Sequence, residues 1–188
     1  MVISEHDAKL IRKVIPELLS LLDRGAWTRI SQSGKLSEEF IDAFSDSIIW
    51  AYLCRYQELS EELLEKHIKK IKWDKVSMYQ RLSESFIEKY QNKLDWTQIT
   101  LNQNLSESFI ERFADKVDWE RISEHQKLSE PFIEKHQDKV NWREISYYQK
   151  LSEEFIEKHQ DKVDWHEIFF RQKLSEEFRK RFRNRQGY

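Results

Sequence analysis

The order of apolar and polar residues along the chain returns with a fixed period. Tryptophan marks this period, and every gap between successive tryptophans is 23 residues. The tryptophans are Trp27, Trp50, Trp73, Trp96, Trp119, Trp142 and Trp165. A Leu-Ser pair and a glutamine recur at the same spacing, and the residues from Lys127 to Trp142 are repeated almost unchanged from Lys150. A constant period of this length predicts an array of structural repeats.

The first helix of each period begins at the Leu-Ser pair. In the period that starts at Leu151, Ser152 can cap the free backbone amides, and Leu151 can pack on Ile156 as a hydrophobic staple. Apolar residues then recur at helical spacing. The opposite face carries Glu and Lys, such as Glu154 and Lys158, at the spacing that favours ion pairs within one helix. The pattern predicts a helix of about ten residues.

The second helix begins next to each tryptophan. Asp164 can cap this helix, and Glu167 can complete a capping box with the amide of Asp164; Asn141 and Glu144 repeat the arrangement. The periodic glutamine follows after about seven helical residues, and we expect its side chain to hydrogen-bond in a turn. Isolated helices shorter than about 12 residues are marginal in water. The stacking of successive units must therefore supply the stability.

These patterns predict an all-α protein, an α-solenoid of tandem 23-residue two-helix repeats with atypical capping units at both ends. We expect a single repeat domain over residues 1–188. Its predicted parts are a degenerate N-terminal cap at 1–34, six 23-residue repeats at 35–172 and a truncated basic C-terminal cap at 173–188. Pro16 supports the N-terminal cap because it occupies the repeat position that Pro131 holds later in the chain.

The repeated unit L-S-E-x-F-I-E-K-x-x-x-K-V-D-W resembles tandem short helical repeats that recur in predicted proteins of phages, large DNA viruses and some bacteria. The resemblance covers about residues 35 to 178. It implies a helical-repeat architecture and is consistent with a viral origin, but it implies no particular activity. The longer tetratricopeptide and ankyrin motifs are absent from the sequence.

Composition adds limits on location and partners. The formal net charge is −2 and the pI is about 6.3, so overall charge points to neither a nucleic acid nor a membrane. Cys54 is the single cysteine and has no partner for an internal disulfide. The N-terminal residues lack the apolar core of a signal peptide, and no apolar run approaches the length of a membrane span. We therefore expect a soluble, cytoplasmic protein.

The sequence shows no arrangement typical of an active site. Only three glycines are present, so a glycine-rich phosphate loop is excluded. His67, His136 and His159 share one repeat position. Other repeats place Phe44, Tyr90, Phe113 and Phe182 there, which indicates packing rather than metal binding. The carboxylates fall at regular repeat positions and not in a local exception. We expect a non-enzymatic protein with no catalytic residue, no metal and no cofactor.

A candidate binding surface lies where the repeats differ. The fifth and sixth residues after each tryptophan vary and include several aromatic and arginine side chains, the composition of interface hot spots. The predicted protein-binding residues are Tyr56, Tyr79, His125, Tyr147, Tyr148, Phe170 and Arg171. The alternative interpretation is that these side chains pack against the first helix of the next repeat.

The sequence thus favours a non-enzymatic protein-binding scaffold. The resemblance extends this to a phage or viral protein that binds and blocks a host factor, for instance a defence complex. The alternative is nucleic-acid or ribonucleoprotein binding through the basic C-terminal unit. The candidate residues for that function are Arg179, Lys180, Arg181, Arg183 and Arg185. A third hypothesis is self-association through the terminal repeat, with Phe178 and Phe182 as interface residues.

Overall fold

A computed structural model describes residues 23–32 and 36–185. In this part of the chain the backbone forms fourteen α-helices and one short 3-10 helix (Arg183–Arg185), without strands. The α-helices are α1 (Arg24–Gln32), α2 (Glu38–Ala43), α3 (Trp50–Tyr56), α4 (Glu61–Lys66), α5 (Trp73–Tyr79), α6 (Glu84–Lys89), α7 (Trp96–Asn102), α8 (Glu107–Arg112), α9 (Trp119–His125), α10 (Glu130–Lys135), α11 (Trp142–Tyr148), α12 (Glu153–Lys158), α13 (Trp165–Arg171) and α14 (Glu176–Arg181). Even-numbered helices are the first helices of the repeats, and odd-numbered helices are the second.

The described part of the chain divides between Asp95 and Trp96 into two compact units. In the first unit α1 packs on α3 and α3 on α5. In the second unit α7, α9, α11 and α13 pack on one another in the same sequential manner. The predicted α-solenoid of 23-residue two-helix repeats is therefore confirmed. The single-domain prediction and its cap boundaries stay predictions, and Pro16 lies outside the described residues.

The first helix of each repeat is capped as predicted but is shorter. The Ser152 hydroxyl accepts the amide of Phe155 at 3.1 Å. Helix α12 then spans six residues rather than about ten. His159 leaves the helical region, with φ −109° and ψ 30°, and the amide of Lys162 bonds the His159 carbonyl three residues back at 2.9 Å. The rest of the segment is therefore a tight turn, which carries the buried Val163 towards the second helix.

The second helix has the predicted seven residues and the predicted cap, since the Asp164 carboxylate accepts the amide of Glu167 at 3.2 Å. The predicted capping box is wrong. The amide of Asp164 donates to the hydroxyl of Ser146 at 2.9 Å, and the amide of Asn141 donates to a serine in the same way. A residue of the preceding repeat therefore takes the place expected for Glu167.

A buried hydroxyl four residues after the tryptophan links one repeat to the next. The Ser146 hydroxyl donates to the Trp142 carbonyl at 2.7 Å and accepts the amide of Asp164. The same two bonds recur in four other repeats, where the hydroxyl belongs to Ser31, Ser77, Thr100 or Ser123. Each of them satisfies an otherwise free amide at a helix start.

Cys54 occupies the same repeat position as these hydroxyl residues. Its thiol is buried, and the amide of Lys72 hydrogen-bonds to it. Burial raises the pKa of the thiol above its usual value. Cys54 therefore has the position and the bonding of the linking serines, and its protonated state is favoured, as expected for an inert thiol.

The periodic glutamine crosses from one repeat to the preceding one. The Gln126 side-chain oxygen accepts the amide of Leu105 at 3.0 Å, and its nitrogen donates to the carbonyls of Thr100 and Gln103. Gln149 makes the corresponding three bonds. The predicted hydrogen-bonding role in a turn is confirmed.

Each tryptophan ring packs against the end of the first helix of the following repeat. The Trp142 indole nitrogen donates to the Gln137 carbonyl at 2.9 Å, and its ring lies 5.0 Å from the ring of His159. Lys162 lies over the outer face of the indole, 5.7 Å from its centre. Trp27, Trp50 and Trp165 are buried, and the other four tryptophans are half-buried. The histidine position is therefore a packing position, as the sequence indicates.

Charged side chains of the first helices pair between repeats. Lys158 forms its ion pair with Glu134 of the preceding repeat, so the predicted pairing with Glu154 inside one helix is wrong. The same contact joins Lys89 to Glu65 at 2.7 Å. Stacking brings equivalent positions of successive repeats side by side, and the carboxylate one repeat back is the one that Lys158 reaches.

Within the described residues, every helix is too short and too polar to cross a membrane.

Candidate protein-binding surface

The predicted binding residues lie at the C-terminal ends of second helices. Three and four residues after the tryptophan, Ile145 and Ser146 point into the core and are fully buried. The next two residues are on the opposite side of the helix, since successive residues are about 100° apart. Four of the predicted residues are accordingly exposed: Tyr56 by 49%, Tyr79 by 41%, Tyr148 by 49% and Phe170 by 73%.

The first unit contains one group of these residues, the first aromatic cluster, formed by Arg55, Tyr56 and Tyr79. The Arg55 guanidinium lies 5.2 Å from the centre of the Tyr56 ring and 5.4 Å from that of Tyr79. Tyr52 stacks on the other side of Tyr56, with ring centres 6.4 Å apart. The arginine thus joins side chains from the ends of α3 and α5 by cation–π contacts.

The second unit contains the second aromatic cluster, formed by Tyr147, Tyr148, Phe170 and Arg171. The Arg171 guanidinium lies 3.9 Å from the centre of the Tyr147 ring and also donates to the Tyr147 hydroxyl. It lies 5.0 Å from the centre of the Phe170 ring. The rings of Tyr147 and Tyr148 are 4.4 Å apart. These contacts order the aromatic side chains of α11 and α13 before any partner binds.

His125 lies one repeat earlier, at the end of α9, and is exposed. Its Nε2 is 3.2 Å from Glu124, and the Glu124 carboxylate also hydrogen-bonds to Tyr148. Partial loss of solvent, followed by the negative charge of Glu124, raises the pKa of the Tyr148 hydroxyl. Glu124 thus connects His125 to the second aromatic cluster.

The alternative interpretation, burial of these side chains against the next repeat, applies only in part. Tyr147 is half-buried, and its ring is covered by Arg171. Phe170 keeps most of its surface open, and the His166 ring stacks on it, parallel at 6.5 Å. Exposed apolar side chains that lie close together mark interaction sites, and Arg171 connects Phe170 to Tyr147 in such a group.

Three members of this surface were not among the predicted binding residues: Arg55, Glu124 and His166. All three occupy variable positions after a tryptophan, which is the signal that identifies the surface. Their importance depends on contacts with side chains one repeat or one turn away. Residue type alone does not show such contacts.

The basic C-terminal residues are largely engaged inside the chain. The Arg179 guanidinium donates to the carbonyl of Phe169 at 3.2 Å. Arg181 pairs with Glu157 and lies 4.9 Å from the centre of the Phe182 ring. These contacts are those of Lys158 in the preceding repeat, with arginine in place of lysine.

Arg185 continues the same pattern. It is 3.9 Å from Asp161 and 5.9 Å from the centre of the Trp165 ring, where Lys162 covers Trp142 in the repeat before. Lys180 and Arg183 are exposed and make no ion pair within residues 36–185. Among the five predicted nucleic-acid-binding residues, these two present their charge to solvent without an ion pair.

Phe178 and Phe182, the residues of the self-association hypothesis, are also used inside the chain. Phe178 is only 4% exposed and belongs to a cluster with Trp165 and Phe169. The Phe182 ring lies 4.9 Å from the Trp165 ring. An interface through these two rings would need them to leave that cluster.

The described residues contain no group of three or more His, Cys, Asp or Glu side chains with the geometry of a metal site. Comparison with protein-family models, with curated proteins and with solved structures gives no match to this chain.

Proposed function

We propose that this chain is a non-enzymatic protein-binding scaffold and that its partner binds the second aromatic cluster. The exposure of Phe170, at 73%, beside Tyr148 and an ordered Arg171 is the observation that carries the proposal. Aromatic and arginine side chains account for most of the binding energy in protein interfaces. Their ordering by mutual contacts lowers the entropy that association would cost.

The repeat architecture supports this proposal. Stacked repeats keep their core residues constant and vary the residues on one face, so a single fold can present different side chains to a partner. The Glu and Lys of the first helices are nearly the same in each repeat and pair with one another, as expected for a solvated face.

The resemblance to phage and viral helical repeats adds a more specific form of the proposal. In that form the chain is a viral product that binds and blocks a host factor, such as a defence complex. The support for this form is the resemblance of the repeated unit.

The rival function is nucleic-acid binding through the C-terminal unit. It would depend on Lys180 and Arg183, because Arg179, Arg181 and Arg185 already hold contacts inside the chain. Phosphate-dominated binding falls steeply as salt rises, whereas a protein interface with an aromatic centre is much less sensitive.

The test is affinity capture by the full chain from lysate at low and high salt, with and without nuclease, followed by mass spectrometry. The binding variant carries Tyr147→Ala, Tyr148→Ala and Phe170→Ala. A matched control carries Lys127→Ala, Lys150→Ala and Glu154→Ala, three exposed residues away from the cluster. Circular dichroism checks that both variants remain folded.

We expect a defined protein that survives nuclease and high salt, is lost with the binding variant and is kept by the control. Direct titration of that purified protein should show the same loss. Recovery of nucleic acid alone, lost at high salt and with Lys180→Ala and Arg183→Ala, would refute the scaffold and establish the rival function.

A further inference from the structure

Two histidines of the second unit, His136 and His159, each bury one nitrogen of the imidazole ring. The His136 ring lies 4.5 Å from Phe132 and 5.0 Å from Trp119. The His159 ring lies 4.4 Å from Phe155 and 5.0 Å from Trp142. The Nε2 atom of each histidine is buried and has no hydrogen-bond partner among the residues that the structure describes. Buried polar atoms are usually paired, so each of these two has a cost or a role.

His67 holds the same repeat position in the first unit and differs at this nitrogen. Its Nε2 is 2.6 Å from one oxygen of Asp42, whose other oxygen pairs with Lys66 at 2.5 Å. In the later repeats the position of Asp42 holds Glu111 and Glu134. Asp42 thus serves both the lysine and the histidine.

The longer glutamates serve only the lysine. Glu111 pairs with Lys135, and Glu134 pairs with Lys158. A glutamate side chain is one methylene longer than aspartate, which places its carboxylate at the lysine and not at the buried imidazole. The substitution of Glu for Asp therefore accounts for the unpaired Nε2 atoms.

Protonation changes the hydrogen-bond partners that these imidazole nitrogens require. In neutral imidazole one nitrogen accepts and the other donates, but in the imidazolium both donate. A protonated His136 or His159 would hold a buried donor without an acceptor, which is costly in a site of low polarity. The charged groups near His136 are Glu111, Lys135 and Lys139.

The surroundings of His159 have the same character. The charged groups that act on it are Glu134, Lys158 and Lys162, and Asp161 lines the same groove. The two lysines oppose the positive ring, and the glutamate is already occupied by Lys158. The local charges therefore give the imidazolium no dedicated counter-ion.

We propose that His136 and His159 form an acid-sensitive pair, whose protonation weakens the packing of successive repeats within the second unit. Each ring lies at the end of the first helix of its repeat and packs against the tryptophan that begins the second helix of the preceding repeat. Charging the ring favours its exit into solvent, which opens the contact with the tryptophan. At the equivalent position of the first unit, the Asp42 carboxylate lies 2.6 Å from the His67 Nε2 and can accept a hydrogen bond from it.

The direction of the pH effect follows from the pKa values. Burial lowers the pKa of both His136 and His159 below the ordinary value of 6.5. The unfolded chain therefore takes up protons first as pH falls, and stability falls with it. The stabilising contribution is present above about pH 6.5 and is lost as pH drops from there through the lowered folded-state pKa. Glu111 and Glu134 have pKa values below 4.5 and titrate in a more acidic range.

The test measures the urea midpoint of the full chain at pH 7.5 and pH 5.5, conditions that span the histidine range. The test variant carries His136→Phe and His159→Phe, because phenylalanine already fills this position at Phe44, Phe113 and Phe182. The control is His166→Phe, at an exposed position. We expect the midpoint to fall at pH 5.5 in the wild type and in the control, and to change much less in the test variant. An equal fall in all three would overturn the proposal.

A second measurement follows the His159 ring by NMR during a pH titration. We expect its midpoint below that of an ordinary histidine, with an upward shift in the Glu134→Asp variant, which imitates the pairing of His67 with Asp42. A wild-type midpoint at or above the ordinary value would overturn the proposal even if a variant failed to fold.

Discussion

Ser146 and Gln149 illustrate how single buried residues join one repeat to the next. Ser146 accepts the amide that opens α13 in the next repeat, and the side-chain nitrogen of Gln149 donates to the carbonyls of Ser123 and Gln126 in the preceding repeat. These bonds connect backbone groups that no helix can satisfy from within itself. At the residue scale, the repeats are therefore held by side-chain to backbone hydrogen bonds as well as by apolar contacts.

Replacing Ser146 by alanine should lower the free energy of unfolding by about 1–3 kcal/mol, because the buried amide of Asp164 loses its acceptor. Cys54→Ser is the matched change, since a hydroxyl there can make the bond that the thiol now accepts from Lys72. We expect Cys54→Ser to be close to neutral. Urea denaturation of both variants checks this, and equal losses would contradict the proposed equivalence of the two positions.

Gln149→Ala should cost about 3 kcal/mol, because three buried backbone groups lose their partner together. Gln57 offers a control at the same repeat position. Its side-chain oxygen accepts the amide of Leu36, but its nitrogen has no partner within residues 23–32 and 36–185. We expect Gln57→Ala to cost about 1 kcal/mol, the value of one ordinary hydrogen bond. Thermal or urea unfolding would measure the difference, and a larger loss for Gln57→Ala would refute it.

At the scale of the elements, the tryptophan stack holds the second helix of one repeat against the first helix of the next repeat. Trp165 begins α13 and packs on Phe178 and Phe182, with its indole nitrogen bonded to the Gln160 carbonyl. The cation of Arg185 lies over the same ring. A helix of six residues cannot persist alone, so this contact is what keeps α14 in place.

Trp165→Ala should lower the free energy of unfolding by about 3–5 kcal/mol, the usual cost of removing a large buried aromatic side chain. Trp165→Phe keeps a ring at the site and should lose less. The comparison of the two by urea unfolding separates ring packing from the indole hydrogen bond. Equal losses would show that the hydrogen bond, and not the packed ring, stabilises the repeat.

At the scale of the whole molecule, the repeats within each unit depend on their neighbours along the chain. The Ser, Gln and Lys contacts of the second unit connect residues 18 to 26 positions apart, close to the repeat length of 23. Such an array has a stability that grows with the number of repeats and tolerates the removal of a complete one.

Deletion of residues 128–150 removes one full period and joins Lys127 to Leu151, which restores the Lys-Leu-Ser sequence. We expect this variant to stay helical per residue by circular dichroism and to unfold cooperatively at lower urea. Deletion of residues 128–139 breaks the period in the middle of a repeat and should abolish cooperative unfolding. Similar behaviour of the two deletions would argue against independent, register-dependent repeats.

The sequence by itself determined the fold through the 23-residue period, the capping residue at the start of each helix and the buried residues that recur in every repeat. The capping and packing interactions of a helix connect residues that are only a few positions apart in the chain. Serine caps, seven-residue second helices and the packing role of His159 follow from spacing alone. The length of the first helix, the acceptor for the amide of Asp164 and the partner of Lys158 were decided by tertiary structure. For the acceptor and for the ion-pair partner, a residue nearby in the chain competed with a residue of the adjacent repeat for the same contact. Only the stacking register brings the residue of the adjacent repeat within reach. The same register puts Arg171 on Tyr147 and leaves Phe170 exposed, so it also shapes the proposed binding surface.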